Sequence, residues 1–440
     1  MTNKKAVHPQ LTELEIQLIE QLRQHPEMMP RIKSIIELAH STDGPLKTAD
    51  QVESLLIEAV RDLGKTTLEE WARQAEQRVG QEFLAREPKG GVRKKKTLKW
   101  WCVFGLAQVS ERVWRTPARN YVRLLPGCLG VSHRGYSRRL ERVLCEFGSE
   151  QSFERAAESV REHYGFVLGA SALRKATLKH AQRARQELQR KYQEPFRALP
   201  SQGQEYVIGE ADGTLICTVA PGKRKAKRPR SWQEMRLVAA QAKDSARAVY
   251  AAGFTEVEET GRRWGHCVRD AGWGLQSQIH TLGDGAEWIR LQSQEVFGVQ
   301  GRFLCDFYHV SEYLAEAAQV CAGDRAQSWR RTQQKRLRRG ALELVIESLE
   351  PHLEAEDWPE EQTPVRNGHR YLSNRNDCLD YPRAIAQGLP IGSGMIESGH
   401  RHVLQARLKK AGTAWLVETA DQMAHLRVIK ANRQWSTFWN

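Results

Sequence analysis

The chain has 440 residues, of which 40% are hydrophobic, so it can form about two to four domains with a substantial buried core. Lys and Arg outnumber Asp and Glu by 67 to 53, and the net charge of +14 favours a polyanionic partner, nucleic acid before an anionic membrane. No apolar run reaches the roughly 18 residues of a transmembrane helix, and the N-terminus lacks the apolar segment of a signal peptide. We therefore expect a cytoplasmic protein.

The eight cysteines show no pattern typical of a zinc ribbon, because no two of them stand in a CxxC spacing. A disulfide framework is also not expected, because disulfides are rare in a reducing compartment. We expect most of them to be small core residues and predict no structural zinc.

Residues 1–87 are predicted to form an N-terminal helical region. Leucines recur at helical spacing from Leu11 to Leu22, and apolar residues do so again from Val52 to Leu63.

Residues 88–150 are predicted to be a basic linker followed by a small region of sheet and helix. The stretch "EPKGGVRKKKTLKWW" contains Lys94, Lys95 and Lys96. Two interpretations stay open: a solvated linker, or an arm that contacts DNA phosphates beside the tryptophan pair. Residues 102–125 alternate like strands and indicate the small sheet.

Residues 151–200 are predicted to form a helix-turn-helix-like DNA-binding region. Gly165 separates two segments with apolar helix faces, and Ser171 can cap the second of them. That second helix would present Arg174, Lys175 and Lys179 to a major groove. An ordinary helical hairpin is the alternative.

The remaining sequence predicts an α/β fold. From residue 205, three strand-like stretches are followed by helix, strand, helix and strand, which indicates a mixed sheet with helices on both faces. A loop with six basic residues, "PGKRKAKRPR", joins the first two strands. We assign 201–312 to the first part of a catalytic domain, 313–390 to a helical insertion and 391–440 to C-terminal helices of the catalytic domain.

Three acidic residues lie at positions in predicted strands and helices where they could bind metal ions. Asp212 lies late in the first strand, Asp284 lies at the tip of the fourth, and Glu397 lies in a first helical turn. If the first and fourth strands are neighbours, the two aspartates end side by side, and such a pair stays ionised only when a cation bridges it. Glu210 is a rival to Asp212 because it has the same strand parity.

Hard oxygen ligands at a partly open site suit Mg²⁺ or Mn²⁺. With Glu397 as the third ligand, the trio predicts two ions, about 3.5–4 Å apart, for in-line phosphodiester displacement. Gly213, Gly283 and Gly285 would let a DNA backbone approach closely. Singly, each acidic residue has a plainer explanation: Asp before Gly is common in turns, and Glu in a first helical turn is favoured by the helix dipole.

The segments "ADGT", "LGDGAEW", "CDFYHV" and "IGSGMIESGHRHVLQARLKKAGTAW" resemble bacterial insertion-sequence transposases of the DDE type. The resemblance is greatest to the ISKra4 family, which is related to the ISLre2-like and Mutator-like groups, and it covers roughly residues 150–435. It implies a ribonuclease-H-like mixed sheet flanked by helices, an α-helical insertion, and a mostly helical DNA-binding region before it. It also implies that Asp212, Asp284 and Glu397 are the catalytic, metal-binding triad.

The same resemblance implies roles for further residues. Asp306 and His309 match a D-x-x-H signature and are expected to support the active site or the DNA. Residues that match the C-terminal pattern, or lie on the helix face of Glu397, are expected to hold the DNA end, namely Arg401, Arg407, Lys409 and Trp415. Relatives often carry paired cysteines before the helix-turn-helix, whereas this chain has only Cys128 and Cys145 there.

These features predict a bacterial DNA transposase that cuts insertion-sequence ends and joins the freed 3′-OH to target DNA. Its expected partners are terminal inverted repeats, target DNA and further copies of itself, and no membrane. Three alternatives stay open: a catalytically inactive, domesticated DNA-binding protein, a ribonuclease-H-like nuclease for branched DNA, and, more weakly, a membrane-surface protein.

Overall fold

The computed structural model describes residues 11–40, 47–118, 120–196, 198–222 and 228–440. It confirms the predicted mixed α/β class, with two mixed sheets. The chain divides into two compact units, Met1–Thr177 and Leu178–Asn440. Within the described ranges, no helix has the length and apolar character needed to cross a membrane.

The first unit contains a four-stranded sheet and most of the N-terminal helices. The helices are α1 Glu13–Gln24, α2 Met29–Ala39, α3 Ala49–Arg86, α4 Leu125–Leu129, α5 Arg138–Glu150, α6 Phe153–Tyr164 and α7 Ala170–Gln193, the last of which continues into the second unit. The strands are β1 Gly91–Cys102, β2 Gly105–Arg115, β3 Tyr121–Arg123 and β4 Gly135–Tyr136, in the order β3-β2-β1-β4. Only the β1–β4 pair is parallel.

The basic stretch that we expected to be a linker or an arm is strand β1. It pairs with β2 over its whole length. Its C-terminal half is held in place by burial, because Leu98 and Trp100 are at most 2% exposed. Lys94, Lys95 and Lys96 lie in the other half and are all exposed. Lysines have low strand propensity, so the strand depends on its apolar end and its partner rather than on the basic residues.

The segment predicted to be a helix-turn-helix contains α6 and α7. Gly165 ends α6 with a φ of 73°, a conformation that favours glycine. Helix α7 begins at Ala170, so Ser171 lies in its first turn instead of capping it, and the helix has 24 residues. Leu173 packs in the core that α5, α6 and α7 share, whereas the DNA-facing candidates on α7 are exposed. DNA reading by α7 stays a prediction.

The second unit is built around a five-stranded sheet in the order β7-β6-β5-β8-β9. The strands are β5 Tyr206–Val219, β6 Arg230–Ala242, β7 Val249–Gly253, β8 Gln278–Gly283 and β9 Gly301–Cys305. Strands β5, β6 and β7 are antiparallel, and β8 and β9 run parallel to β5. Residues 223–227 of the basic loop between β5 and β6 lie outside the described residues.

The helices of the second unit lie on both faces of this sheet. They are α8 Val257–Asp270, α9 Glu287–Phe297, α10 Phe307–Ala322, α11 Ala326–Arg338, α12 Leu342–Glu347, α13 Pro364–Ser373, α14 Tyr381–Ala386, α15 Gly394–Gly399, α16 Ala406–Leu408, α17 Val417–Ala431 and α18 Trp435–Trp439. A π-helix, His400–Gln405, joins α15 directly to α16. Short 3-10 turns lie at Gly298–Gln300, Gly323–Arg325, Glu350–His352, Glu360–Gln362 and Asn376–Cys378.

The parallel strands are in register at the row Glu210, Leu282 and Leu304. Side chains alternate between the faces of a strand, so these three residues share one face. The same face packs on a buried core that continues through Phe307 and Val310 of α10. The predicted start of a helical insertion at residue 313 therefore falls inside a helix that belongs to the core of the sheet.

The opposite face is covered by α8 and α9. A Cβ at Gly209 would lie 2.9 Å from Trp264 Nε1, so β5 and α8 approach closely. Thr281 Oγ1 lies 2.7 Å from Ser293 Oγ, which joins β8 to α9. Helices therefore pack against both faces of this sheet.

Candidate active site

The carboxyl ends of β8 and β9 lie beside the middle of β5, which continues to Val219, so Asp212 lies in the middle of its strand and not late in it as predicted. Two residues beyond the row that contains Glu210, these strands reach Asp212, Asp284 and Asp306. Asp306 N donates to Gly283 O over 2.8 Å, so the pairing of β8 and β9 continues to this level. The condition set for the two aspartates, that the first and fourth strands are neighbours, is met, because β5 is the neighbour of β8.

Asp212 is paired with a histidine that the sequence analysis missed. Its Oδ1 accepts from Gly213 N over 2.7 Å, and its Oδ2 lies 3.0 Å from His400 Nε2. The His400 side chain is 6% exposed, and neither ring nitrogen has a well-aligned hydrogen bond within the described residues. His400 follows Glu397 by three residues, a spacing that places both on one side of a helix. It also begins the π-helix, and π segments are frequent at functional sites.

Asp284 lies in a turn that α13 fixes. Its Oδ1 accepts from Ala286 N over 2.8 Å, and its carbonyl accepts from Tyr371 Oη over 2.7 Å. Gly285 has a φ of +85°, and its carbonyl accepts from Arg375 Nε over 2.8 Å. A Cβ at Gly285 would lie 2.5 Å from Tyr371 Oη and 2.7 Å from Arg375 Nε. Both the backbone conformation and the packing therefore require glycine.

We had expected the glycines beside the aspartates to leave room for DNA, but they do not. A Cβ at Gly283 would lie 3.0 Å from two carbon atoms of Ile289. At Gly213 it would collide with the carboxylate of Glu234. The protein's own side chains fill these spaces, so the expectation of close DNA approach at the glycines is wrong.

Replacing Gly285 by alanine is expected to destabilise the second unit by about 2–4 kcal/mol. A positive φ costs an ordinary L-residue about 1–2 kcal/mol, and the new Cβ would also displace Tyr371 or Arg375. Urea unfolding measures the change. Gly394→Ala is the matched control, because nothing lies within 4 Å of a Cβ there. Equal stability of Gly285→Ala and wild type would contradict this account of the turn.

Glu397 is exposed in the first turn of α15, and Glu210 of β5 binds the backbone of that turn. Ile396 N donates to Glu210 Oε2 over 2.7 Å, and Glu210 is 2% exposed. Burial raises the pKa of Glu210 to about 8; the hydrogen bond from Ile396 opposes this change, and the charges of Asp306 and Glu397 add to it. Glu210, the rival to Asp212, is therefore a buried anchor for the helix that carries Glu397.

Asp306 links the end of β9 to the start of α15. Its Oδ1 accepts from Tyr308 N over 2.6 Å and from His309 N over 3.2 Å, which caps α10. Its Oδ2 accepts from Ser393 N over 2.7 Å and from the Ser393 hydroxyl. His309 Nδ1 lies 3.4 Å from Glu312 Oε2. The D-x-x-H spacing therefore includes a capping contact from Asp306 to the backbone of His309.

His280 ties β8 to the segment that leads into α15. It is 1% exposed, and its Nε2 lies 2.8 Å from Pro390 O. Burial lowers the pKa of His280 to about 4, although the contact with Pro390 opposes this change. The folded protein therefore holds a neutral ring at pH values where the unfolded chain, with a pKa of about 6.5, is protonated.

This difference predicts a pH dependence of stability. The contribution of His280 is fully present above about pH 6.5 and is lost as the pH falls towards 4, because the unfolded state then binds one more proton. His280→Gln is expected to reduce the slope of unfolding free energy by up to about 1.4 kcal/mol per pH unit in this window. Urea unfolding at pH 4.5, 5.5 and 7 measures it, with exposed His352→Gln as the control. The same slope in both variants would contradict the prediction.

The expected DNA contacts divide into exposed and buried residues. The exposed ones are Lys94, Lys95, Lys96, Arg174, Lys175, Lys179, Arg401 and Lys409. Arg407 and Trp415 are only 2% and 8% exposed. The guanidinium of Arg407 lies 4.7 Å from the centre of the Trp415 ring, and Trp415 Nε1 donates to Leu408 O over 3.2 Å. The prediction that Arg407 and Trp415 hold DNA is wrong, because both pack inside the protein.

Trp415 has a structural role at the edge of β5. Its N–H donates to Cys217 O over 3.0 Å, and its carbonyl accepts from Val219 N over 2.8 Å. These bonds add a short parallel bridge to the end of the strand. The tryptophan therefore fastens the C-terminal segment to the strand that carries Asp212.

The acidic residues provide suitable donors for magnesium but not a complete site. Asp212 and Asp284 offer hard carboxylate oxygens on neighbouring strands, and Glu397 is exposed nearby on α15. Within the described residues, no three His, Cys, Asp or Glu side chains are close enough together to hold a metal ion. The donor chemistry therefore fits the predicted ion, whereas the arrangement of the three carboxylates falls short of a formed site.

Residues 270–436 match the uncharacterised protein family UPF0236. Three UPF0236 proteins of Caldanaerobacter subterraneus subsp. tengcongensis are 27%, 26% and 25% identical over 155, 156 and 155 residues. Each alignment covers 35% of this chain and 31% of the relative, so the chain spans about a third of the length of the curated relatives it matches. Two of the relatives have names that join four and eleven locus designations.

These matches correct the family resemblance that we inferred from the motifs. They indicate UPF0236 and no transposase family, so the assignment to the ISKra4 family is wrong. The matched range contains Asp284, Asp306, Glu397 and His400 but not Asp212. The match to UPF0236 therefore covers most of the candidate site. Because that family is uncharacterised, the match assigns no function to the site.

Proposed function

We propose that the second unit is a ribonuclease-H-like domain and that the protein is a DNA transposase, which cuts and joins DNA with Asp212, Asp284 and Glu397. The observation that carries this proposal is the placement of the three carboxylates. Asp212 and Asp284 follow the same row of two neighbouring parallel strands, and Glu397 stands on a helix packed over that row. The strand order, with three antiparallel and two parallel strands and helices on both faces, supports the proposed fold.

The three carboxylates would hold Mg²⁺ or Mn²⁺, as two ions, and the metal would supply Lewis-acid activation of the scissile phosphodiester. The protein's residues position the reacting groups. His400 Nε2 lies 3.0 Å from one oxygen of Asp212, while Tyr371 fixes the turn that carries Asp284. No serine or tyrosine nucleophile is required, since water and a DNA 3′-OH are the attacking groups.

The names of the relatives support mobility independently of the site. One name joins eleven locus designations of a single organism, and another joins four. Mobile DNA that inserts copies of itself elsewhere is expected to leave its gene at many loci of one genome. A resolvase or a domesticated binding protein needs only one locus, so this observation favours the transposase.

The charge of the chain supports DNA as the substrate. The net charge of +14 favours a polyanion, and the exposed basic residues of β1 and α7 suit phosphate contacts. A transposition reaction acts on two DNA ends and a target, so we propose that at least two copies act together on DNA in the cytoplasm.

A DNA-binding protein without catalytic activity is the second candidate. The observation that favours it is the lack, within the described residues, of three ligand side chains close enough to hold one metal ion. Such a protein would keep the basic surfaces and the fold but would not cut DNA.

A mobility assay separates the two candidates. The gene and its native flanking DNA are placed on a donor plasmid, and recipient plasmids that gain the segment after mating are sequenced. We expect wild type to move the segment with defined ends and Asp284→Asn to move none, with Asp357→Asn, an exposed aspartate, as the matched control. Movement by Asp284→Asn at the wild-type frequency would exclude the proposed site.

A further inference from the structure

Helix α11 carries a basic surface that the candidate active site does not use. From 325 to 342 the chain has no acidic residue. The same range has seven basic residues, namely Arg325, Arg330, Arg331, Lys335, Arg336, Arg338 and Arg339. The structure describes the whole range, and most of it is helical. The position of this charge in the second unit is therefore defined.

Three of the basic side chains form one row on the solvent face of α11. Arg331, Lys335 and Arg338 follow each other at i, i+4 and i+7, which places them on one side of the helix, and all three are exposed. Gln333 and Leu337, on the other side, are only 2% and 1% exposed. Within the described part of the chain, none of the three cations is paired with a carboxylate. The row is therefore uncompensated positive charge.

This helix covers the same face of the sheet to which Asp212 belongs. Leu337 lies in one buried core with Ile208 of β5 and Leu304 of β9. Ile208 and Asp212 are on the same strand and have the same parity, and the pairing of β5 with β6 is regular between them. Helix α11 and the Asp212 carboxylate are therefore on one side of the sheet.

The C-terminal end of α11 lies beside the start of α10. The short turn Gly323–Arg325 joins the two helices, so they form a hairpin. The guanidinium of Arg338 lies 4.6 Å from the centre of the Phe307 ring. Phe307 directly follows Asp306, whose N–H donates to Gly283 O over 2.8 Å. The basic row therefore begins next to the carboxyl ends of β8 and β9, where Asp284 lies.

We propose that Arg331, Lys335 and Arg338 form a contact surface for the phosphate backbone of a DNA duplex whose scissile phosphodiester lies at the candidate active site. From Arg331 to Arg338 the helix rises about 10 Å, which matches about three successive phosphates of one DNA strand. The inference rests on the proposed function, because it concerns the same DNA. It adds the part of the protein that would hold the duplex beside the carboxylates.

An anionic membrane is the other polyanionic surface that a basic helix could contact. Helices that bind membrane surfaces present apolar side chains to the lipid beside their basic ones. Helix α11 exposes no large apolar side chain, and its Leu337 lies in the core. DNA is therefore favoured, since its recognition needs only the row of cations.

Fluorescence anisotropy in EDTA tests the contact without metal or cleavage. The probe is a labelled duplex of about 30 base pairs from the native flanking DNA. Replacing both Arg331 and Lys335 by Gln is expected to weaken binding about tenfold to a hundredfold at about 0.1 M salt, and to reduce the slope of log affinity against log salt by about two. Arg338 is left unchanged because it also packs on Phe307.

The matched control removes the same charge near the opposite end of the sheet. Arg247 precedes β7, Arg302 lies near the start of β9, and both are exposed. Replacing both by Gln is expected to leave the salt slope unchanged and the affinity within about threefold of wild type, because salt screens charges that are distant from the DNA.

Wild-type affinity and salt slope in the Arg331→Gln, Lys335→Gln variant would overturn the proposal. So would an equal loss in the control variant, because binding would then depend on net charge alone. Binding to vesicles of three parts phosphatidylcholine to one part phosphatidylserine that requires Arg331 and Lys335, with unchanged DNA binding, would also overturn it. If the proposed catalytic function fails instead, wild type will not cleave DNA in Mg²⁺, while DNA binding in EDTA will still depend on Arg331 and Lys335.

Discussion

Asp284→Asn is expected to lower the rate of DNA cleavage by purified protein about 10³-fold or more, and to leave DNA affinity within about twofold of wild type. Asparagine keeps the side-chain oxygen that accepts from Ala286 N, so the turn is preserved. It removes the negative charge that we propose to hold a cation beside Asp212. Nicking of a supercoiled plasmid in Mg²⁺, followed on a gel, measures the rate.

Asp357→Asn is the control for this experiment. Asp357 is exposed and lies in the segment between α12 and α13, outside the strands of the sheet. It should cleave like wild type, and Asp212→Asn should fail like Asp284→Asn. Cleavage that persists in both Asp212→Asn and Asp284→Asn would show that the activity belongs to another site.

Asp306→Ala is expected to lower the free energy of unfolding by about 3–5 kcal/mol, because it removes the buried acceptor of four hydrogen bonds. The carboxylate accepts from the backbone N–H groups of Tyr308, His309 and Ser393 and from the Ser393 hydroxyl. Asp306 is 3% exposed, so water cannot easily replace these bonds. Chemical denaturation in urea measures the change.

Asp380→Ala is the matched control, since Asp380 also caps a helix. It is exposed and accepts one backbone bond, from Arg383 N over 3.2 Å. Loss of such a cap costs about 1 kcal/mol. A loss of only this size in Asp306→Ala would mean that Asp306 is an ordinary cap and does not fasten α15 to the end of β9.

The sequence predicted the order of strands and helices in the second sheet because alternation and turn residues are local. The adjacency of the strands that carry Asp212 and Asp284 entered the sequence analysis only as a condition, because the pairing of β5 with β8 is long-range. Strand β1 was missed because its lysines resemble a solvated linker, and only pairing with β2 makes them part of a sheet. The composition of β1 alone does not indicate its pairing with β2, so the strand could not be predicted from its own residues.

The burial pattern after Glu397 departs from that of a regular α-helix. Regular i, i+4 spacing would place Leu404 and Leu408 on the face of Glu397, but both are buried, whereas Glu397 is exposed. The π-helix between them adds a residue to a turn and rotates everything that follows. Arg407 consequently turns into the core instead of towards DNA. No periodicity in the sequence marks such a turn.

The supporting residues of the site were missed because their partners are distant in the chain. Glu210 accepts from the backbone of Ile396, 186 positions away, and its side chain could not be distinguished from Asp212 by strand parity. His400 lies beside Asp212 only after the sheet and α15 have come together. The E-x-x-H spacing from Glu397 to His400 was present in the sequence and could have suggested a second residue on the same helix face.

Binding of Mn²⁺ to the protein–DNA complex shows whether Asp212, Asp284 and Glu397 hold a metal ion, since Mn²⁺ replaces Mg²⁺ at oxygen sites and free Mn²⁺ is quantified by electron paramagnetic resonance. We expect wild type with DNA to bind Mn²⁺, Glu397→Gln to weaken this binding, and the combination of Asp212→Asn with Asp284→Asn to abolish it. Equal Mn²⁺ binding by wild type and the Asp212→Asn, Asp284→Asn double variant would contradict the claim that these carboxylates form one metal-dependent site.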